Sequence, residues 1–315
     1  MERISRLVRD GALVAGPPLV GPWAKEKLAA LERYLDYYTK VLKNQAWCRT
    51  IYLDAFAGAG TAEIRKAAND ADPGQFSLLD QQDQREIING SPLVALDVAN
   101  PFSRYVFVDA DAQRVLELEE IAQRYKQTRQ IDVRRTSAAD AIAWIVDQPI
   151  SKRTHRGVAF LDPFGTQLTW ADIEKLAKTG LFEVVINFPL AMAIQRMLPN
   201  DGDVRPFSGA KLDAFFGTDA WRDAVYRQSD GGLFAAAGIE KTPDYHQRLL
   251  ELYRQRLKAA FGCVSSARLI KTTRGVPLYY LVWAGPHPKG LQGANYILEM
   301  GDVLEPSKTR RIGKG

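Results

Sequence analysis

Tyr52-Leu-Asp-Ala-Phe-Ala-Gly-Ala-Gly60 is the stretch of this sequence from which the fold can be inferred. The short apolar run 50–54 predicts a buried strand, and the glycines that follow it end that strand. Gly58 and Gly60 permit a tight turn and let the backbone approach a ligand closely. A glycine pair alone is more typical of a structural turn, so its meaning depends on the strands that follow.

Strand and helix patterns alternate along most of the remaining chain. The predicted strands after the first are 104–109, 131–136, 157–162 and 182–187, and the predicted helices are 112–125, 139–146, 170–178 and 191–198. Such alternation predicts a parallel sheet with helices on both faces. Near the end, 267–271 and 278–284 predict an antiparallel hairpin at one sheet edge. The predicted fold class is α/β: a Rossmann-like, doubly wound, mostly parallel sheet with a C-terminal hairpin and a helical insertion.

Changes in this pattern suggest the domain boundaries. We expect an N-terminal helical extension (1–48), a first core part (49–200), a helical insertion (201–245), a last core part (246–305) and a basic tail (306–315). The polar stretch 65–90, rich in glutamine and aspartate, predicts an insertion loop. Ser91 and Pro92 then predict the start of a helix, with Ser91 as its N-cap.

Acidic residues at later strand ends indicate what the glycine turn could bind. Asp109 ends the second strand, where a carboxylate can accept both ribose hydroxyls of an adenosine. Asp140 follows the third strand, where it can meet the adenine amino group. Capping of the next helix is the alternative for both strand ends. The predicted cofactor-binding residues are Asp54, Phe56, Gly58, Gly60, Asp109 and Asp140.

The glycine spacing argues against a dinucleotide. The third residue after Gly60 is Glu63 rather than glycine, and a polar stretch follows where a pyrophosphate would need a helix N-terminus. The pattern therefore favours a ligand without phosphates, held by an amino-acid moiety and a ribose.

The fourth strand end, Phe160-Leu-Asp-Pro-Phe-Gly165, is the most specific chemical signal. An amine conjugated with a ring donates its lone pair poorly, and in-line methyl transfer needs that lone pair aimed at the reacting carbon. A carboxylate and a nearby carbonyl that accept the two N–H groups would pyramidalise the nitrogen. We therefore predict that Asp162 orients the nucleophile, Phe164 stacks on the ring, and the Pro163 carbonyl or Asn187 assists. The alternative for Asp162 is a helix cap, and the alternative for Asn187, which ends the fifth strand, is an ordinary turn before a helix.

Together these residues resemble class I S-adenosylmethionine-dependent methyltransferases, and more narrowly the three-Cys-motif partner family of bacteria and phages. The likeness covers 20–300 and rests on segments 52–61, 90–93, 107–109, 160–165 with Trp170, and 184–189. It implies the class I methyltransferase fold, the cofactor S-adenosylmethionine and a partner protein with a three-cysteine motif. Nucleic-acid amino methyltransferases usually have a second proline after the first. Here that proline is missing, and the aromatic Phe164 lies one place nearer to Asp162.

Composition sets further limits. The net charge of +5 and the pI of about 9.1 are compatible with a nucleic-acid partner. Two cysteines form neither a disulfide framework nor a metal site, so we expect no metal. No apolar run approaches membrane-spanning length, and the first residues lack a signal-peptide pattern, so we expect a cytoplasmic protein without membrane contact.

Three functions remain open at this stage. The first is a methyltransferase that acts on a nitrogen of nucleic acid or of a nucleoside. The second is a methyltransferase of small molecules or proteins, and the third is a non-catalytic subunit that binds the three-cysteine-motif protein. An NAD-linked enzyme is disfavoured by the glycine spacing.

Overall fold

The computed structural model describes residues 19–21, 23–65, 85–229, 238–272 and 275–300. Within these ranges, three sheets form. The strands in chain order are β1 (Leu19–Val20), β2 (Arg49–Asp54), β3 (Thr61–Arg65), β4 (Arg85–Asn89), β5 (Arg104–Asp109), β6 (Ile131–Arg135), β7 (His155–Leu161), β8 (Phe182–Phe188), β9 (Tyr226–Ser229), β10 (Gly238–Lys241), β11 (Cys263–Lys271) and β12 (Pro277–Gly285).

The central sheet has seven strands in the order β11-β12-β8-β7-β2-β5-β6. Strands β8, β7, β2, β5 and β6 are parallel to one another, whereas β12 is antiparallel to both of its neighbours. The final hairpin therefore inserts its reversed strand between β8 and β11. This order with one reversed strand is that of the class I methyltransferase-like fold, so the predicted fold class is confirmed.

Helices cover both faces of this sheet. They are α1 (Trp23–Leu42), α2 (Ser91–Leu96), α3 (Ala112–Tyr125), α4 (Ala138–Val146), α5 (Trp170–Lys178), α6 (Pro206–Phe216), α7 (Trp221–Val225), α8 (Tyr245–Phe261) and α9 (Pro288–Leu298). One buried cluster joins the sheet to α1, α2, α3 and α9, and a second joins it to the remaining helices. In the part of the chain described, no helix has the length and apolarity needed to cross a membrane.

Strand β8 shows why the central strands read as continuous apolar runs. All of its residues are buried, because helices pack on both faces. Val184 and Ile186 belong to the cluster with α8, whereas Val185 belongs to the cluster with α1. In the 201–245 insertion, α6 and α7 are followed by the antiparallel hairpin β9–β10. Phe215 of α6 stacks on Tyr253 of α8, with ring centroids 5.1 Å apart, which fixes α6 against the core.

The stretch 65–90 differs from the predicted loop at both ends. Strands β3 and β4 pair antiparallel, and β1 pairs parallel with β3. The intervening residues 66–84 lie outside the described ranges. The prediction failed here because the two short strands flank a polar stretch, and pairing between strands leaves no local apolar pattern in the sequence.

Two predicted helix boundaries were also wrong. Gly90 is the N-cap of α2 in place of Ser91, and the helix ends at Leu96. The predicted helix 191–198 is a π-helical turn, Leu190–Ile194, followed by a 3-10 turn, Gln195–Met197. Apolar spacing does not distinguish these related helix types, which differ only in hydrogen-bond partner.

Candidate functional site

The chain runs outward from β2 to β6 and then returns to the other side of β2 with β7. Ligands of such sheets bind beyond the carboxyl ends of the strands at this switch point. Asp54 ends β2, Asp162 follows β7, and Asn187 lies near the end of β8. Each lies two residues after a strand residue that packs towards α1, so all three lie on the α1 face of the sheet.

The Asp162 carboxylate is held from two sides. Asn187 Nδ2 donates to Asp162 Oδ1 at 2.8 Å, and the Lys27 ammonium of α1 donates to Asp162 Oδ2. The two side chains of this ion pair are only 15% and 18% exposed. The carboxylate does not cap a helix: Thr169 caps α5, where it accepts from Asp172 N. Asp162 is therefore fixed at the switch point with acceptor capacity left over.

Lys27 was missed by the sequence analysis. It lies 135 positions before Asp162, and lysines are common on helix surfaces. One signal was present, since Lys27 precedes Leu31 by four residues and so lies on the buried face of α1. A charge inside an apolar stripe indicates a partner within the fold.

Two buried polar atoms near Asp162 have no hydrogen-bond partner among the described residues: Asn187 Oδ1 and the Tyr279 hydroxyl. Burial raises the pKa of Tyr279, and the charges of Asp162 and Glu26 raise it further. The Lys27 ammonium lies 5.7 Å from the centre of the Tyr279 ring. Buried polar groups are normally paired in native proteins, so these two atoms are available to bond a ligand at this carboxylate.

Asp54 is fully buried beside this group. It accepts from the Phe56 backbone N–H and the Tyr52 hydroxyl, both at 3.3 Å, and from the Ser91 side chain. Burial raises the pKa of Asp54 from 3.8 to about 7, and the charge of Asp162 contributes to this increase. Asp54 therefore organises the start of the glycine turn, and its carboxyl can hold a proton near neutral pH.

The two glycines of the turn have different surroundings. Both have positive φ, +63° at Gly58 and +76° at Gly60. A Cβ added at Gly60 would lie 2.2 Å from Ile121 Cδ1, so Gly60 is required for close packing of α3. A Cβ added at Gly58 would meet no atom within 4 Å. The backbone at Gly58 therefore borders open space that a ligand can enter.

Asp109 ties the glycine turn to the loop after β5. Its Oδ2 accepts from Gly58 N at 3.1 Å and its Oδ1 from Asp111 N at 2.8 Å. Arg114 Nε lies 3.1 Å from Asp109 Oδ1 as an ion-pair partner. Asp111, not Asp109, caps α3, where it accepts from Gln113 N and Arg114 N at 3.0 Å. The geometry thus removes the capping alternative for Asp109 and places its carboxylate against the turn.

The start of helix α2 lies next to the glycine turn, although it does not directly follow the turn in the sequence. Gly90 N donates to Gly60 O at 2.8 Å, which closes the β3–β4 hairpin and brings α2 next to the turn. The expectation that no helix start meets the turn was therefore wrong. The missing third glycine remains, and Pro92 in the first turn of α2 removes one backbone donor that a phosphate would need.

The other predicted site residues differ in exposure and in their observed contacts. Pro163 is buried, whereas the Phe164 ring is 64% exposed and free to stack on a ligand. Phe56 is half-buried against the core. Asp140 lies in the first turn of α4, where it accepts from the Ser137 hydroxyl at 2.7 Å. Its observed contact is thus that of a helix cap, and its adenine contact stays a prediction. Among the described residues, no group of three or more His, Cys, Asp or Glu side chains could hold a metal ion.

In comparisons with known proteins, no family model and no curated protein matches the sequence. Among solved structures, a Legionella pneumophila protein of family DUF519 is similar over 88% of this chain and 90% of its own, with 13% identity and a TM-score of 0.49. A magnesium protoporphyrin IX methyltransferase from Synechocystis with bound S-adenosylmethionine is similar over 72% of this chain and 86% of its own, with 15% identity and a TM-score of 0.29. A Clostridium acetobutylicum S-adenosylmethionine-dependent methyltransferase covers 80% of this chain and 91% of its own, with 10% identity and a TM-score of 0.29. At this level of similarity, we assign the fold from the strand order of this chain alone.

Proposed function

We propose that the chain is an S-adenosylmethionine-dependent methyltransferase that methylates a nitrogen of nucleic acid or of a nucleoside. The observation that carries this proposal is the Asp162 carboxylate, which Asn187 and Lys27 hold at the switch point of a class I methyltransferase-like sheet. The open backbone at Gly58 lies on the neighbouring strand end.

The residues of the turn fit the cofactor. Gly58 offers a backbone without side-chain obstruction, and Asp109 places a carboxylate beside it for the ribose hydroxyls. Asp54 and Phe56 shape the turn at the point where the amino-acid moiety would lie. When bound, S-adenosylmethionine supplies an electrophilic methyl group on a sulfonium.

The residues around Asp162 act on the acceptor. Asp162 accepts an N–H from the acceptor amine and so directs the nitrogen lone pair towards the methyl carbon. Asn187 keeps the carboxylate in place through Nδ2, and its unpaired Oδ1 offers a second acceptor on the same side chain. The exposed Phe164 ring stacks on the acceptor base. Bound S-adenosylmethionine would supply the methyl group to this nitrogen, and the methylated nitrogen would release its proton to water.

Lys27 is the ion-pair partner of Asp162 when no methyl acceptor is bound. In the absence of an acceptor, its ammonium neutralises Asp162 in a poorly solvated position. The basic composition suits a polyanionic acceptor, since phosphates are attracted by net positive charge. Flipping of the target base would bring its amine to the site.

One observation favours a second candidate, a binding subunit that works with a three-cysteine-motif partner protein. Both carboxylate oxygens of Asp162 already accept hydrogen bonds from the chain itself. The amine that is to be methylated must therefore share the carboxylate with Lys27 or displace Lys27. If this pair never opens in the isolated chain, methyl transfer requires a partner that moves α1.

The test uses labelled S-adenosylmethionine with DNA, transfer RNA and ribosomal RNA as acceptors. We expect label in one nucleic acid with the wild type, loss of transfer with Asp162→Ala, and no change with Asp147→Ala, an exposed carboxylate at the other sheet edge. Calorimetry with the cofactor shows whether each variant still binds it. Cofactor binding without transfer to any nucleic acid would reject the proposed acceptor. Transfer only after addition of the partner would support the second candidate.

A further inference from the structure

A cavity lies at the amino ends of the parallel strands of the central sheet, away from their carboxyl ends. Its volume is about 620 Å³, within the range of small-molecule sites. It is lined by the last turns of α1 with the following loop, the first residues of β7 and β8, and the start of α9. None of the candidate cofactor or acceptor residues lines it.

The walls of this cavity are mainly aromatic and aliphatic. Tyr37, Tyr38 and Val41 come from α1, and Trp47 comes from the loop after it. The Trp47 ring is 45% exposed, and the Arg156 guanidinium lies 4.8 Å from its centre. A half-exposed tryptophan at a rim can cover one face of a planar ring, and the guanidinium beside it can pair with an acid group on that ring.

The charged groups that line the cavity are mostly cationic. Arg156 and Lys289 are positively charged. His287 lies beside them at the N-cap of α9 without making a capping bond, and burial and the charge of Arg156 lower its pKa, so it adds little positive charge. The acidic lining residue, Glu183, accepts from the Tyr34 hydroxyl in the buried interior. Its pKa is raised by burial to about 7, so it is only partly ionised near neutral pH and offsets only part of the positive charge. An anion is therefore favoured at this end of the cavity.

One wall residue also lacks a partner. The Tyr38 side chain is 5% exposed, and its hydroxyl has no hydrogen-bond partner among the described residues. The neighbouring Tyr37 hydroxyl, in contrast, donates to the Lys289 carbonyl at 2.9 Å and joins α1 to α9. A buried hydroxyl left unpaired in a cavity wall indicates that a ligand supplies its partner.

We propose that this cavity is a binding site for a planar aromatic anion, that is, a ring carrying a carboxylate, sulfonate or phosphate. The ring lies against Tyr37 and Trp47, and the acid group faces Arg156 and Lys289. Among the described residues, the guanidinium of Arg156 donates through NH1 to the backbone carbonyls of Lys152 and His155, which leaves its other donors for the acid group. The site is separate from the proposed methyl-transfer site and does not depend on that function.

The probe is 1-anilinonaphthalene-8-sulfonate, an aromatic sulfonate whose fluorescence rises in apolar surroundings. We expect saturable binding of one probe per chain. Val41→Glu adds a carboxylate at the half-exposed rim and should weaken binding about tenfold, the effect of one charged contact. Val41→Gln is the matched neutral control and should bind nearly as the wild type does. Arg156→Gln should weaken binding by a similar factor.

Two further measurements test whether the acid group is recognised and whether the site is separate from the cofactor site. N-phenyl-1-naphthylamine, the neutral ring analogue, should bind more weakly and should not respond to Arg156→Gln. S-adenosylhomocysteine should not displace the sulfonate. Equal affinity of the sulfonate for wild type, Val41→Glu and Arg156→Gln would overturn the proposal, as would displacement by S-adenosylhomocysteine. Thermal unfolding of each variant shows that the fold is retained, and Val41→Glu decides the matter if Arg156→Gln does not fold.

Discussion

Replacing Asp54 with asparagine should stabilise the protein more at pH 8 than at pH 5, relative to the wild type. Asp54 is fully buried, and burial raises the pKa of its carboxyl from 3.8 to about 7. The charge of Asp162 acts in the same direction, whereas the hydrogen bonds to Asp54 oppose it. The folded chain therefore holds a proton on Asp54 at pH values where the unfolded chain has released it.

The sign and size of the effect follow from this difference. Between the two pKa values the folded state binds more protons than the unfolded state, so the free energy of unfolding falls as pH rises. The loss is at most about 1.4 kcal/mol per pH unit and about 4 kcal/mol in total above neutral pH. Asparagine does not titrate, so the variant escapes this loss. From about pH 5 to about pH 8, we expect the variant to gain about 2.5 kcal/mol over the wild type.

Urea denaturation of both proteins at several pH values measures this difference. Glu183 has a pKa raised to about 7 by the same cause, but it is present in both proteins and its contribution cancels. Glu183→Gln is the matched variant and should show the same pH trend independently of Asp54. The two stability curves would run parallel if Asp54 were ionised in the folded state at pH 5, and that result would refute the reasoning.

Lys27→Gln should lower the free energy of unfolding in urea by about 2 kcal/mol, less than for a fully buried ion pair, because both partners keep some solvent contact. Asp162→Asn should cost less in that background than alone, and strictly additive losses would contradict coupling of the pair. Gly60→Ala should cost about 3 kcal/mol in the same assay and Gly58→Ala about 1 kcal/mol, because only Gly60 packs closely against α3. Equal losses would show that the positive φ alone matters. Asp109→Asn should weaken S-adenosylmethionine binding at least about tenfold by calorimetry, and an unchanged affinity would argue against ribose binding at this residue.

The sequence was most informative where structure is local. Alternating apolar runs and helix patterns located the parallel strands, because periodicity records which faces are buried. Parallel strands place their carboxyl ends at one edge, so Asp162 and Asn187 could be assigned to one site before their 2.8 Å contact was known. Helix capping was an open alternative for Asp140, and the structure shows that Ser137 is the N-cap of α4 and accepts from Asp140 N.

The sequence was least informative where pairing is long-range or marginal. The β3–β4 hairpin depends on contacts between strands that enclose a polar stretch, so its strands carry little apolar signal. The helix α2 reaches the glycine turn only because Gly90 bonds to Gly60 across that hairpin. Linear spacing between the turn and the helix therefore gave the wrong expectation.

The amino-acid sequence by itself determined the chain order of the seven strands of the central sheet, the glycine turn and the acidic residues at the strand ends. Only the tertiary structure decided that Lys27 neutralises Asp162, because that contact depends on how α1 packs across the sheet. The same packing brings the end of α1 to the start of α9 and so forms the cavity beside Arg156. Local propensity fixes what each segment forms, whereas desolvation and charge pairing depend on which distant segments are packed together.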